Sequence, residues 1–123
     1  MHRWHVCPHA NFALEPALFT TAHVGAIDKL QRQLDWSPRN VDLYEINEAF
    51  AVVTMAAMRE LELPHTKVNV NGGACAICHP IGASGARLIV TLIYALRNRG
   101  GKRGVASLCL GGGEATAVAI ELA

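Results

Sequence analysis

An α/β domain built on a mixed five-stranded sheet, with helices packed against it, is the fold class this sequence predicts. Segments of strand character alternate with segments of helical period, the arrangement that leads to parallel strands joined by helices. The last two strand-like runs flank Gly111-Gly112-Gly113, a turn signal that makes them a terminal hairpin and the sheet a mixed one. Two of the helical segments are apolar almost all round, the pattern of buried helices.

Taken in order, a strand is expected near Arg3 to Cys7, then a Pro-opened turn of helix at Pro16 to Phe19. Val24 to Leu34 reads as a half-exposed helix, with Ile27, Leu30 and Leu34 on one face and Asp28, Lys29, Gln31 and Arg32 elsewhere. Trp36-Ser-Pro-Arg-Asn is its exit turn. Val41 to Ile46 is a short strand, and Glu48 to Glu60 a helix with an acid in its first turn, where the macrodipole favours it. Lys67 to Val70 is the next strand. A Gly-rich loop from Asn71 to Gly82 leads into a helix from Ala83 to Asn98, and strands at Val105 to Leu110 and Ala115 to Leu122 close the chain. No repeat, low-complexity tract or linker divides it, so residues 1–123 are expected to form one domain.

Composition excludes several classes. With 51% apolar and 17% charged residues in 123, disorder and collagen-like structure are out. Eleven Lys and Arg against ten Asp and Glu leave a formal charge of +1, which implies no nucleic acid or anionic-membrane partner. The apolar run Leu88 to Leu96, broken by Thr91, falls far short of the ~20 residues of a membrane helix. The N-terminal residues lack the apolar stretch of a secretory signal, and Cys7, Cys75, Cys78 and Cys109 are expected as reduced thiols in a cytoplasmic or organelle-matrix setting.

The helices at Glu48 to Glu60 and Ala83 to Asn98 pose a packing problem, because the second keeps only a thin polar stripe of Arg87, Thr91 and Asn98. One layer pair of this size has little room to bury both. Either an opposing layer comes from another chain or from a larger protein, or these Ala-rich helices tolerate partial exposure.

The chemistry concentrates at three places. Asn47 ends the second strand, His79 lies in the loop after the third, and Cys109 lies near the end of the fourth, two residues before the Gly triplet. Ligand sites in α/β sheets form outside the carboxyl ends of strands, so an amide, an imidazole and a thiol could converge on one edge. The glycines let backbone approach a ligand closely and present N–H donors to a developing oxyanion. Singly, Asn47 reads as a helix N-cap, His79 as a loop residue beside Pro80, and Cys109 as a small buried hydrophobe. Together the three reverse those readings.

Asn47-Glu-Ala-Phe-Ala, the run from Asn69 through His79-Pro-Ile-Gly to Arg87, and Cys109-Leu-Gly-Gly-Gly resemble, in order and spacing, the C-terminal signatures of the thiolase family. The resemblance runs from about Trp4 to the C-terminus. It implies a thiolase-like C-terminal domain and acyl transfer between CoA thioesters, as acetyl-CoA condensation or 3-ketoacyl-CoA thiolysis. It also implies roles: His79 activates a nucleophilic Cys and hydrogen-bonds the thioester oxygen, Asn47 holds a water that completes that oxyanion hole, Cys109 is the acid/base, and the N–H of Gly111 serves a second oxyanion hole. No cofactor is expected beyond CoA thioesters as substrates, and no metal. The expected partners are an acyl-CoA and either an N-terminal thiolase half or further copies of the chain.

Two departures matter. Cys78 stands where the family has Gly, so a positive φ there would strain the loop that aims His79. No segment resembles the one bearing the family's nucleophilic Cys, which leaves a non-catalytic acyl-CoA-binding or assembly domain as the alternative. Cys75-Ala-Ile-Cys78-His79 also matches the c-type haem attachment pattern and a C-x-x-C redox pair, but the thiolase resemblance already accounts for its flanking Gly and Pro. His2, His5, Cys7 and His9 are transition-metal donor types, yet alternate strand positions share a face whatever their chemistry. The basic turn Arg97 to Arg103 most simply complements a helix C-terminus.

Overall fold

Alanines at 115, 117 and 119 alternate with larger residues along the last strand, and this period-two pattern sets the layering of the domain. The computed structural model describes residues 4–123, the side chain of Cys7 excepted. Its elements run β1 (Trp4–Ala13), a 3₁₀ turn (Pro16–Thr21), α1 (Ala22–Leu34), β2 (Leu43–Ile46), α2 (Ala51–Glu60), a second 3₁₀ turn (His65–Lys67), the one-turn α3 (Ala74–Ile77), α4 (Ser84–Arg99), β3 (Arg103–Cys109) and β4 (Glu114–Leu122). Strand order is β1-β4-β3-β2, with β2 and β3 parallel and the other pairs antiparallel. The sheet is therefore mixed, and β3 and β4 form the expected hairpin.

Helices cover both faces. On one, Ala115, Ala117 and Ala119 of β4 and Val105 and Cys109 of β3 pack with Ala22, Ala26, Ile27 and Leu30 of α1. The small side chains let α1 lie close: a Cβ added at Gly25 would sit 2.3 Å from the Phe12 ring. On the other face, Leu43, Ala106, Ile120 and Leu122 meet Leu88, Leu92 and Leu96 of α4. Here a Cβ on Gly104 would come within 2.8 Å of Leu92, so this glycine sets the helix-to-sheet spacing.

Three expectations are revised. The third expected strand, Lys67 to Val70, does lie beside β2, but its pairing shrinks to one parallel bridge between Tyr44 and Val68, which leaves a four-stranded sheet. Asn69 is the reason: it turns to φ 47°, and its side-chain amide takes over the pairing, with Oδ1 accepting from the N–H of Ile46 at 2.8 Å and Nδ2 donating to the Ile46 carbonyl at 2.9 Å. A side chain thus replaces a strand. The first strand runs on to Ala13 because β4 pairs along it, with a bulge between Val6 and His9 where Pro8 has no N–H to offer. That bulge breaks the alternation linking His5 to His9, while His2, Arg3 and the Cys7 side chain lie outside the described residues. α2 starts at Ala51, after an extended Phe50, so Glu48 precedes the helix instead of occupying its first turn.

The apolar helices are not buried all round by this chain. α2 buries Val53, Thr54 and Ala57 and leaves Val52 58% and Met55 60% exposed; Phe50, just before it, is 61% exposed. α4 buries its Leu88, Leu92 and Leu96 face but exposes Val90 and Tyr94. The sheet covers one surface of α4, while α1 and the 3₁₀ turn at Pro16–Thr21 cover one surface of α2, and the opposite surface of each has no layer above it among the described residues. No helix among the described residues is long and apolar enough to cross a membrane.

Candidate active site

Alternation along β2 places Leu43, Glu45 and, just past its end, Asn47 toward α4. The first turns of α4 meet them. Arg87 reaches across to both acidic and amide side chains, its guanidinium 3.5 Å from Glu45 Oε2 and donating to Asn47 Oδ1 at 3.3 Å. Asn47 is fully buried, and its Nδ2 lies 3.1 Å from His79 Nε2. The other ring nitrogen, Nδ1, is 2.5 Å from Ser84 Oγ, which donates to the Pro80 carbonyl at 3.1 Å. Asn47 and His79 are thus brought into contact at the carboxyl end of β2, as the sequence led us to expect.

Glu48 fastens the loop that carries His79. Its carboxylate accepts from Asn69 Nδ2 at 3.1 Å and from the backbone N–H of Cys75 at 2.9 Å. A Cβ on Gly73 would fall within 2.6 Å of that carboxylate, so a larger residue there would push the Glu48 side chain from this seat. The loop then passes through Cys78 at φ 76° and ψ 163°, a region of backbone space kept almost wholly for glycine. The strain anticipated from the sequence is present one residue before His79.

Cys109 and Gly111 are not members of this hydrogen-bonded set. Cys109 ends β3 on the face turned to α1 and packs in that core, where burial pushes its thiol above the usual range. Gly111 lies in the exposed β3–β4 turn. On the same face as Cys109, the wholly buried His23 has its Nδ1 2.9 Å from Ser107 Oγ and its Nε2 unpartnered, and burial lowers its pKa from 6.5 to about 4. Cys75, Cys78 and Cys109 are free thiols. Among the described residues no group of three or more His, Cys, Asp or Glu is placed to hold a metal ion.

Glu45, Arg87, Ser84 and Asn69 escaped the sequence reading. Two signals pointed at them: period two puts Glu45 on the face of Asn47, and Arg87 is the one charge between Ser84 and Leu96 of α4. Burial pushes Glu45 up to about 7 despite Arg87, and its Oε1 has no partner.

A mixed sheet covered by helices on both faces, with an Asn and a His loop meeting at its carboxyl edge, defines an α/β domain with a candidate site at a strand end. The family described as "Thiolase, C-terminal domain" matches residues 4–122, and the chain belongs to the thiolase family as that C-terminal domain. It is 46% identical over 112 residues to an acetyl-CoA acetyltransferase of Allochromatium vinosum, covering 91% of this chain and 28% of that one. To the cytosolic acetyl-CoA acetyltransferase of Mus musculus it is 47% identical over 108 residues, 88% of this chain and 27% of the relative. Among solved structures, the acetyl-CoA acetyltransferase of Bacillus anthracis superposes with a TM-score of 0.94 at 42% identity, over 98% of this chain and 30% of that one. Acat5 thiolase from Ascaris suum in complex with coenzyme A gives 0.91 at 44% identity, over 96% and 30%. The chain therefore spans little more than a quarter of the length of the curated relatives it matches.

Proposed function

We propose that this chain is the C-terminal catalytic half of a thiolase, working on acyl-CoA thioesters together with a half that bears the nucleophilic Cys. The observation that carries the reading is the contact between Asn47 and His79, two residues of separate motifs that meet at the carboxyl end of β2. In this reading His79 takes the nucleophile's proton and then donates to the thioester oxygen. Asn47 orients a water in the same oxyanion hole, and the N–H of Gly111 serves the second. Cys109 removes the α-proton of the second acyl-CoA. Abstraction of that proton is feasible only where the enolate oxygen meets preorganised donors. The apolar surface of Phe50, Val52 and Met55 is where we place the partner half, because an exposed face of this kind marks an interaction surface. Acetyl-CoA condensation and 3-ketoacyl-CoA thiolysis use the same groups in opposite directions.

A second reading, a non-catalytic acyl-CoA-binding or assembly domain, is favoured by the burial of Cys109, which disfavours the thiolate form that would have to act as the base. Cleavage of acetoacetyl-CoA separates the two. The chain alone is expected to show no turnover and to dimerise or aggregate on size-exclusion chromatography with light scattering. Addition of an N-terminal thiolase half should restore turnover, and Cys109→Ser should then lower it by roughly three orders of magnitude or more with thioester binding retained. His79→Ala should suppress acyl-enzyme formation as well, seen by mass spectrometry of the intact partner. Full activity in the complemented Cys109→Ser enzyme would remove Cys109 from the acid/base role. No activity in any complemented form would favour the binding-domain reading.

A further inference from the structure

We propose that Arg87, seated between Glu45 and Asn47, is a positioning residue that fixes the orientation of the Asn47 amide and, through it, which ring nitrogen of His79 carries the proton. The argument follows the direction of donation. An arginine only donates, so its contact with Asn47 at 3.3 Å makes the facing atom the amide oxygen. The Asn47 amide nitrogen is then the atom left 3.1 Å from His79 Nε2. An NH₂ group can only donate, so Nε2 must be the unprotonated, accepting nitrogen, and the ring proton sits on Nδ1. From Nδ1 it is donated to Ser84 Oγ, whose own hydrogen goes to the Pro80 carbonyl. Every hydrogen in the series Arg87, Asn47, His79, Ser84 therefore runs one way, and the basic nitrogen of His79 is Nε2, the one beside Asn47.

Glu45 has its own part in this arrangement. Its side chain is 1% exposed, it meets Arg87 only at 3.5 Å, and both Glu45 Oε1 and Arg87 Nε lack partners. A buried pair so loosely made is a poor source of stability, because desolvation of the two groups outweighs a long contact. What the pair does supply is direction: Glu45 draws the guanidinium down onto the face of β2, where its other nitrogen meets Asn47. The proposal rests on His79 acting as a base in the preceding reading, but its test needs no turnover.

The test is the tautomer of His79, read by two-bond ¹H–¹⁵N correlation spectra of the ¹⁵N-labelled chain at a pH where the ring is neutral. The Nδ1–H form is expected to dominate in the wild type. Replacing the pair together, Glu45→Gln with Arg87→Met, leaves no orphaned charge and should fold; the tautomer ratio should then move about tenfold toward the Nε2–H form that an unconstrained imidazole prefers, as loss of one charge-assisted hydrogen bond implies. Asn47→Asp gives an independent check, since an acceptor-only carboxylate must draw the proton to Nε2. A wild-type His79 protonated on Nε2 would overturn the proposal, as would an unchanged ratio in a folded double variant or in Asn47→Asp. An activity assay that fails while the tautomer behaves as expected would count against the acyl-transfer reading alone.

Discussion

Cys78 holds a backbone conformation for which its side chain is unsuited, and the consequence falls on the residue next to it. At φ 76° and ψ 163° a Cβ costs on the order of 1–3 kcal/mol, and a glycine there adopts the same angles freely. The residue is exposed, so its side chain contributes little packing in return. Cys78→Gly is accordingly expected to raise the unfolding free energy by about 1 kcal/mol, the gain being reduced by the greater freedom of glycine in the unfolded chain. Urea denaturation of the two forms measures this, and an unchanged or lower midpoint would mean that the loop has relaxed around the cysteine. The same substitution should sharpen the resonances of His79 if the strain is spread along the loop.

At the scale of elements, the outer edge of β2 is finished by one side chain. Asn69 occupies the left-handed region, donates its own N–H to the Tyr44 carbonyl at 2.9 Å, and pairs both backbone groups of the fully buried Ile46 through its amide. Asn is among the few residues with a side chain that tolerate this backbone while offering a donor and an acceptor in one plane. Asn69→Ala should cost about 2–4 kcal/mol, since it leaves two buried peptide groups unpaired and keeps the unfavourable φ. Asn69→Gly removes only the conformational part, so it should recover about 1 kcal/mol of the loss. Equal stabilities for the two variants would show that backbone strain is absent from the cost, and a loss below about 1 kcal/mol in both would show that water satisfies the strand edge.

Across the whole molecule, two buried titrating groups lie on opposite faces of the sheet and act in opposite directions. His23, against α1, is held at about 4, below its ordinary 6.5, so the unfolded chain binds its proton first. Its contribution is present above about pH 6.5 and is lost as pH falls toward 4. Glu45, against α4, is pushed up to about 7 from 4.5, so the folded chain keeps its proton longer. Its contribution is full below about pH 4.5 and is lost as pH rises toward 7. The wild-type stability is therefore expected to vary little between about pH 4.5 and 6.5. Glu45→Gln should expose the His23 slope, with stability rising with pH, and His23→Gln the opposite slope. The groups share no partner, so the effects should add. Denaturation midpoints taken across this window check the signs, and two variants with slopes of the same sign would refute the opposition.

Period and turn chemistry in the sequence alone determined the class of this domain, the terminal hairpin around Gly111 to Gly113, and the surface turned inward on α1, because these depend on spacing along the chain. Asn47 was legible beside a strand end that periodicity could locate, and His79 through the motif that its Gly-rich loop carries. Tertiary structure alone decided that Asn69 would stand in for a fifth strand, that Glu48 would leave its helix to hold the loop, and that Arg87 would join Glu45 to Asn47. It also decided how much of α2 and α4 stays open: composition marked both as apolar on every side, and one side of α4 is covered by the sheet and one side of α2 by α1 and the first 3₁₀ turn. These contacts link residues 23 to 42 positions apart, whose approach depends on where the sheet and α4 come to rest, and no local pattern carries that distance.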